Sequence, residues 1–229
     1  MEYDAVFWDV GGVVLDIDSI TEAQSEFIRR AIERYELPMA ETDASERWRN
    51  AMRAHFAGRE GREYRTAREA RRKAAEALFD GSPPADWQEL FGEVRDERLR
   101  LNPGVEETMA ALHDAGVYQA IVSDADEALK TELERFGLDR YLDDVTTSEA
   151  VGYVKPDPRI FEAALRKARE AGIDPDRGIM VGDKYENDME GASNAGLATA
   201  SFGASDGPAV DYVLSEIGEL RSIVGVVED

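Results

Sequence analysis

Four polar residues, far apart in the chain, have types that could do chemistry together: Asp9, Ser123, Lys155 and Asp183. Two carboxylates with backbone carbonyls can hold Mg²⁺, which takes oxygen ligands and keeps waters that a phosphate can replace. A lysine and a serine hydroxyl, with backbone N–H groups at helix starts, suit the remaining phosphoryl oxygens. A carboxylate beside such a metal can attack phosphorus and form an aspartyl-phosphate. Taken singly, each residue also has a plain structural reading. Asp9 or Asp183 would cap a helix, Ser123 would be another cap, and Lys155 would be a solvated charge. What makes them a site is placement at one edge of one sheet, and that depends on the elements around them.

Asp9 ends the apolar run in "YDAVFWDVGGVVLDID", where residues 4 to 9 read as a central parallel strand. Gly11 and Gly12 follow at once. A phosphate and a metal must approach the backbone there, and a side chain at either position would crowd them; a tight turn is the plainer reason. From about Asp18 to Arg100 there is helical periodicity and no strand-like run, with breaks near "LPMAETDAS", "AGREGRE" and "GSPPADW". That predicts a block of about four helices.

After "NPG" at Asn102 to Gly104 helix and strand alternate. A helix near 105–115 leads to the strand "YQAIVS", one near 126–136 to a short strand near 144–147, and one near 158–171 to "GIMVGD". A helix near 187–195, the strands "ATAS" and "DYVL", and a last helix complete the pattern. The expected fold is α/β: a doubly wound, Rossmann-like parallel sheet core in residues 1–17 and 101–229, with an inserted all-helical domain at 18–100. In such sheets ligands bind at the carboxyl ends of strands, where Asp9, Ser123 and Asp183 all fall. Lys155 lies in "VGYVKPDPRIF", just ahead of a helix.

Composition narrows the chemistry. The 229 residues contain no cysteine and two histidines, His55 and His113, which leaves carboxylates as the metal ligands on offer. A net charge of −22 argues against nucleic acid or an anionic membrane as partner, since both need a basic footprint. No apolar run approaches the ~18 residues of a membrane span, and the N-terminus lacks the basic and apolar regions of a signal peptide, so a cytoplasmic protein is expected. Only five of the 27 basic residues are lysines. Excess carboxylate with scarce lysine resembles proteins of salt-accumulating halophiles; the alternative is an acidic mesophilic enzyme.

The segments "FWDVGGVV", "IVSDAD", "VGYVKPDPRIF" and "VGDKYENDMEGASNAG" resemble, in order and spacing, the four motifs of the haloacid dehalogenase-like (HAD) hydrolase superfamily. The last two are the specific ones. The resemblance covers roughly residues 1–17 and 101–229, and the helical block sits where members with a helical cap carry it. It implies that Asp9 is nucleophile and metal ligand, that Gly11 offers its backbone carbonyl to Mg²⁺, and that Ser123 and Lys155 bind phosphate. It also implies that Asp183 binds the metal, with Asp188 supporting it through water or a hydrogen bond. The implied activity is Mg²⁺-dependent hydrolysis of a small phosphorylated metabolite, by a monomer or homodimer.

Two departures from the pattern bear on activity. Superfamily phosphatases usually carry a second aspartate two residues after the nucleophile, as general acid and base; here that position is Gly11. Losing a positioned acid typically costs ~10² to 10⁴ in rate. Some members with this glycine are nonetheless active, and Asp16, Asp18, a residue of the helical block or a water could substitute. Motif two reads Ser123–Asp124 where Ser-Asn or Thr-Asn is common, adding negative charge near a phosphate. Two other readings stay open: a haloacid dehalogenase, which also lacks the second aspartate and uses no metal, and a weakly active or non-catalytic phosphate-binding relative.

The acidic surface generates a first prediction. Like charges repel less when salt screens them, so the melting temperature should rise from dilute buffer to molar KCl. An unchanged melting temperature would refute the halophile reading.

Overall fold

The structure is a computed structural model that describes residues 1–203 and 206–226. Two compact units divide the chain, Met1–Leu15 with Leu101–Asp229, and Asp16–Arg100. The first strand, β1 (Ala5–Trp8), precedes the helices α1 (Ile17–Arg34), α2 (Glu41–Ala57), α3 (Ala67–Leu78) and α4 (Trp87–Arg98). Helix and strand then alternate through α5 (Val105–Asp114), β2 (Tyr118–Ser123), α6 (Leu129–Arg135), β3 (Asp144–Thr147), α7 (Ser148–Val151) and α8 (Pro158–Glu170). The pattern ends with β4 (Gly178–Gly182), α9 (Gly191–Asn194), β5 (Ala198–Phe202), β6 (Tyr212–Leu214) and α10 (Glu219–Val224).

The six strands form one parallel sheet in the order β3-β2-β1-β4-β5-β6, a Rossmann-like α/β fold. β1 is central. Its residues Ala5–Trp8 align with Tyr118–Ile121 on one side and with Gly178–Val181 on the other. All of β1, β2 and β4 is buried, as continuous apolar strands covered on both faces must be. The strand order reverses at β1, so the crevice of the sheet opens beyond the carboxyl ends of β1, β2 and β4.

Helix α8 shows how the flanking layer is set. Its apolar positions Ile160, Phe161, Ala164, Leu165 and Ala168 recur on one helical face and pack with Phe7, Val122 and Met180 of the sheet. Asp157 caps its start by accepting from the Arg159 N–H, and Pro158 takes the first helical position, where no donor is needed. The loop just before it, which carries Lys155, is thereby anchored at one end.

The helical unit has its own core. Phe27 meets Trp48 and Phe91, each at a ring separation of 5.1 Å, and Trp48 stacks on Phe91. Thr66 caps α3 by accepting from the Glu69 N–H, and Asp16 caps α1 from the Asp18 N–H. The two ends of this unit are tied together: Asp16 N donates to Arg100 O, and Ser19 Oγ both donates to Asp16 O and accepts from Arg100 N.

Several elements differ from the sequence expectation. β1 ends at Trp8 rather than Asp9, and α6 starts at Leu129 rather than near 126. The helix expected near 187–195 is instead a π-helical turn, Tyr185–Glu190, followed by the short α9. α7 and the 3₁₀ turns at Asp139–Tyr141 and Pro175–Arg177 carry too few residues for periodicity to show them. The units divide after Leu15 and Arg100, against expected boundaries after 17 and 100.

Candidate active site

Asp9 leaves the end of β1 with its N–H donating to Val181 O at 2.9 Å, which extends the ladder by one residue and directs the side chain to the sheet's carboxyl edge. Ser123 closes β2, and Asp183 stands directly after β4. Lys155 reaches the same place from the loop before α8. Its ammonium lies 2.6 Å from Asp9 Oδ1 and 2.6 Å from Asp188 Oδ1, and it donates to Val122 O at 3.0 Å. Asp9, Lys155 and Asp188 are all buried.

Asp188 sits on the π-helical turn. Its Oδ2 accepts from the Asp183 N–H at 3.2 Å and the Lys184 N–H at 2.9 Å, which folds the turn back over the end of β4. π-turns recur at functional sites because they redirect one side chain out of helical register. Asp9, Asp183 and Asp188 thus offer carboxylate oxygens within 4.8 Å of one another.

A model of the haloacid dehalogenase-like hydrolase family matches residues 3–196. The chain belongs to this family. Among the relatives of this HAD-like hydrolase, a glyceraldehyde 3-phosphate phosphatase of Methanothermobacter thermautotrophicus is 37% identical over 109 residues, 47% of each chain. A ribulose-1,5-bisphosphate 5-phosphatase of Halopiger xanaduensis is 31% identical over 170 residues, 66% of this chain and 70% of that one. The chain spans about half the length of several of the curated relatives it matches. In fold it resembles a HAD phosphatase from Thermococcus onnurineus, with a TM-score of 0.74 at 24% identity over 97% of this chain and 98% of that one. L-2-haloacid dehalogenases share the fold too, so architecture alone does not choose between the chemistries.

The electrostatics of this HAD-like hydrolase follow from crowding acids around one lysine. Burial pushes the Asp9 carboxyl up to about 7; Lys155 opposes the shift and Asp188 adds to it. Asp183 is also raised by burial, with Lys184 pulling it back and Asp188 pushing it further. Burial alone would lower the Lys155 ammonium, but Asp188, Asp9 and Asp124 outweigh it and hold it above its ordinary value. Lys155 therefore stays charged.

These residues fit a hard divalent cation. The donors are carboxylate oxygens, and Asp183 Oδ1 is buried with no hydrogen-bond partner, as a ligand atom awaiting an ion would be. Gly12 has φ +96°, and a Cβ there would overlap Asp183 Oδ2. Its lack of a side chain is thus required twice, by backbone and by contact. Gly11 differs. A Cβ there meets no atom beyond its chain neighbours within 4 Å, so contact with the rest of the protein requires glycine at position 12 and not at position 11.

Asp124 has a structural role beside its charge. Its Oδ1 accepts from the Lys155 N–H at 2.8 Å and from the Ser148 hydroxyl at 3.0 Å, so the carboxylate clamps the Lys155 loop. Asp16 is occupied in the helical unit, capping α1 and pairing with Arg100 at 3.4 Å, and Asp18 is exposed on the first turn of α1.

Asn102 was not singled out by sequence reasoning. Its Nδ2 donates to Gly12 O at 3.0 Å and Val13 O at 2.8 Å, and its N–H to Val14 O at 2.9 Å. One side chain thus shapes the loop that packs Gly12 against Asp183. The signal in the sequence was "NPG", where the helical block ends, but its partners lie about 90 residues earlier.

The carboxylate cluster yields a prediction for the metal-free protein. Asp183→Asn should raise its melting temperature in chelator by removing one repelling charge, and should abolish the further rise on adding Mg²⁺. In the wild type that rise should be small at pH 5 and full only above about pH 7, because raised carboxyl pKa values let protons compete with the cation until then. A Mg²⁺ response that is equal at both pH values, or retained in Asp183→Asn, counts against a cation at this cluster.

Proposed function

We propose that this HAD-like hydrolase is a Mg²⁺-dependent phosphatase acting on a small phosphorylated metabolite through an aspartyl-phosphate on Asp9. The observation that carries the reading is the cluster of Asp9, Asp183 and Asp188 around the buried ammonium of Lys155. A haloacid dehalogenase has no use for such a cluster, which costs stability unless a cation fills it.

Asp9 acts as nucleophile. Lys155 holds its Oδ1, which favours the ionised carboxylate and leaves Oδ2 to attack phosphorus. As the Asp9 oxygen–phosphorus bond forms, the ester oxygen–phosphorus bond breaks and the leaving oxygen departs as the alkoxide or phenoxide, which takes its proton from solvent. Ser123, at the end of β2, donates its hydroxyl to a non-bridging oxygen. Water then attacks the aspartyl-phosphate at phosphorus, releasing phosphate and restoring Asp9. Asp9, Asp183, Asp188 and the Gly11 carbonyl would hold the cation, Asp188 directly or through its bonds to the Asp183 loop. When bound, Mg²⁺ neutralises phosphoryl oxygens and the repulsion among the carboxylates.

The names of the two relatives point to small sugar phosphates, which we take as the substrate class. Among the described residues no helix is long and apolar enough to cross a membrane. We place the enzyme in a cytoplasm, salt-rich if the acidic surface is an adaptation, as a monomer or homodimer.

Hydrolysis of an aryl phosphate should require Mg²⁺, vanish in chelator and be abolished by Asp9→Asn; full activity in chelator overturns the proposal. Gly11 supplies no acid, so aryl phosphates should far outpace sugar phosphates, because the departing alkoxide carries its charge unaided. A Cβ at Gly11 meets nothing within 4 Å, and Gly11→Asp should speed poor leaving groups by roughly 10-fold or more. Measured rates across leaving groups of different pKa check this, and a flat slope in the wild type would show that another group already donates the proton.

A further inference from the structure

A second ammonium lies at the carboxylate cluster. Lys184 directly follows Asp183, and its Nζ is 3.6 Å from Asp183 Oδ1, outside hydrogen-bond distance, on a side chain that is 58% exposed. Lys155 is the opposite case. It is 2% exposed, and its ammonium donates to Asp9 Oδ1 and Val122 O and pairs with Asp188 Oδ1 at 2.6 Å, all of them groups of the protein. An incoming phosphate dianion therefore meets three carboxylates and one buried lysine already paired with two of them.

We propose that Lys184 is a phosphate-binding residue of this site: its ammonium leaves Asp183 and takes a non-bridging phosphoryl oxygen when a cation occupies the carboxylates. The inference rests on the phosphatase reading and adds a residue to it. The Lys184 N–H is fixed on Asp188 Oδ2 at 2.9 Å, so the stem starts from a rigid point while its four-carbon chain turns freely. Burial pulls the ammonium down, and Asp9, Asp183 and Asp188 more than reverse this, which keeps it charged beside the cluster. A cation on Asp183 repels that ammonium, and a phosphate beside the cation attracts it. Lys184 thus opposes cation binding in the empty site and supports anion binding in the loaded one.

The two effects have opposite signs, which a merely structural role would not produce. Calorimetry on the full chain would measure inorganic phosphate binding at saturating Mg²⁺, and Mg²⁺ binding without phosphate. Lys184→Met should weaken phosphate binding about 10-fold, the worth of one charge-assisted hydrogen bond, and should tighten Mg²⁺ binding severalfold. Lys184→Arg, which keeps the charge, should stay close to wild type in both and guards against a misfolded Met variant. Wild-type dissociation constants in Lys184→Met overturn the inference and leave the phosphatase reading intact. A wild type that binds phosphate with Mg²⁺ but hydrolyses no ester overturns the phosphatase reading, while Lys184→Met still tests the residue by binding alone. A wild type that binds no phosphate overturns both.

Discussion

The burial of Asp9 and Asp188 on either side of Lys155 is the constraint on which the site depends. An isolated buried ion costs several kcal/mol even after relaxation, and a pair recovers this only with good geometry and further hydrogen bonds. Lys155 touches both acids at 2.6 Å, yet one cation cannot neutralise two buried carboxylates and the half-buried Asp183 beside them. The remaining charge is met by backbone donors and by spacing. Asp188 Oδ2 takes the N–H groups of Asp183 and Lys184, and a Cβ at Gly182 would overlap the Asp188 side chain. The glycine therefore makes room for the acid, and the π-turn aims it.

Each element contributes by delivering one of these groups to the same edge. The register that aligns Trp8 with Ile121 and Val181 brings the ends of β1, β2 and β4 to one edge, which is where Asp9, Ser123 and Asp183 stand. Lys155 has no strand to carry it. It is held between α8, packed on the sheet through Phe161 and Leu165, and Asp124, which takes its N–H. A polar group read as added charge near a phosphate is thus also the anchor of the lysine, and its own charge helps keep that lysine protonated.

Strand ends were legible because periodicity marks buried parallel strands, and residues at such ends share an edge by topology. Asp9, Ser123, Asp183 and Lys155 could therefore be grouped before any coordinates. What stayed hidden depends on contacts between distant segments. Nothing local separates Gly11 from Gly12; only the approach of Asp183 does so. Asn102 acts on a loop about 90 residues away, and the π-turn replaces a helix that the pattern around Asp188 equally allows. Lys184 was counted as one of few lysines, and its position on the cluster follows from the turn rather than from composition.

The glycine at position 11 can be understood through the same electrostatic load. A Cβ at this position would meet no other side chain or backbone within 4 Å, so packing does not force the absence of a side chain there. A further carboxylate near Asp9, whose own ionisation is already delayed to about 7, would have to remain protonated or add to a cluster that Lys155, Lys184 and backbone donors already offset. As a protonated acid it would serve the leaving group, and as an anion it would repel the incoming phosphate. Glycine removes both effects together. The site then binds a dianion against fewer negative charges and gives up assistance to poor leaving groups, so its selectivity shifts from proton donation towards charge balance between the carboxylates, the cation and the lysines.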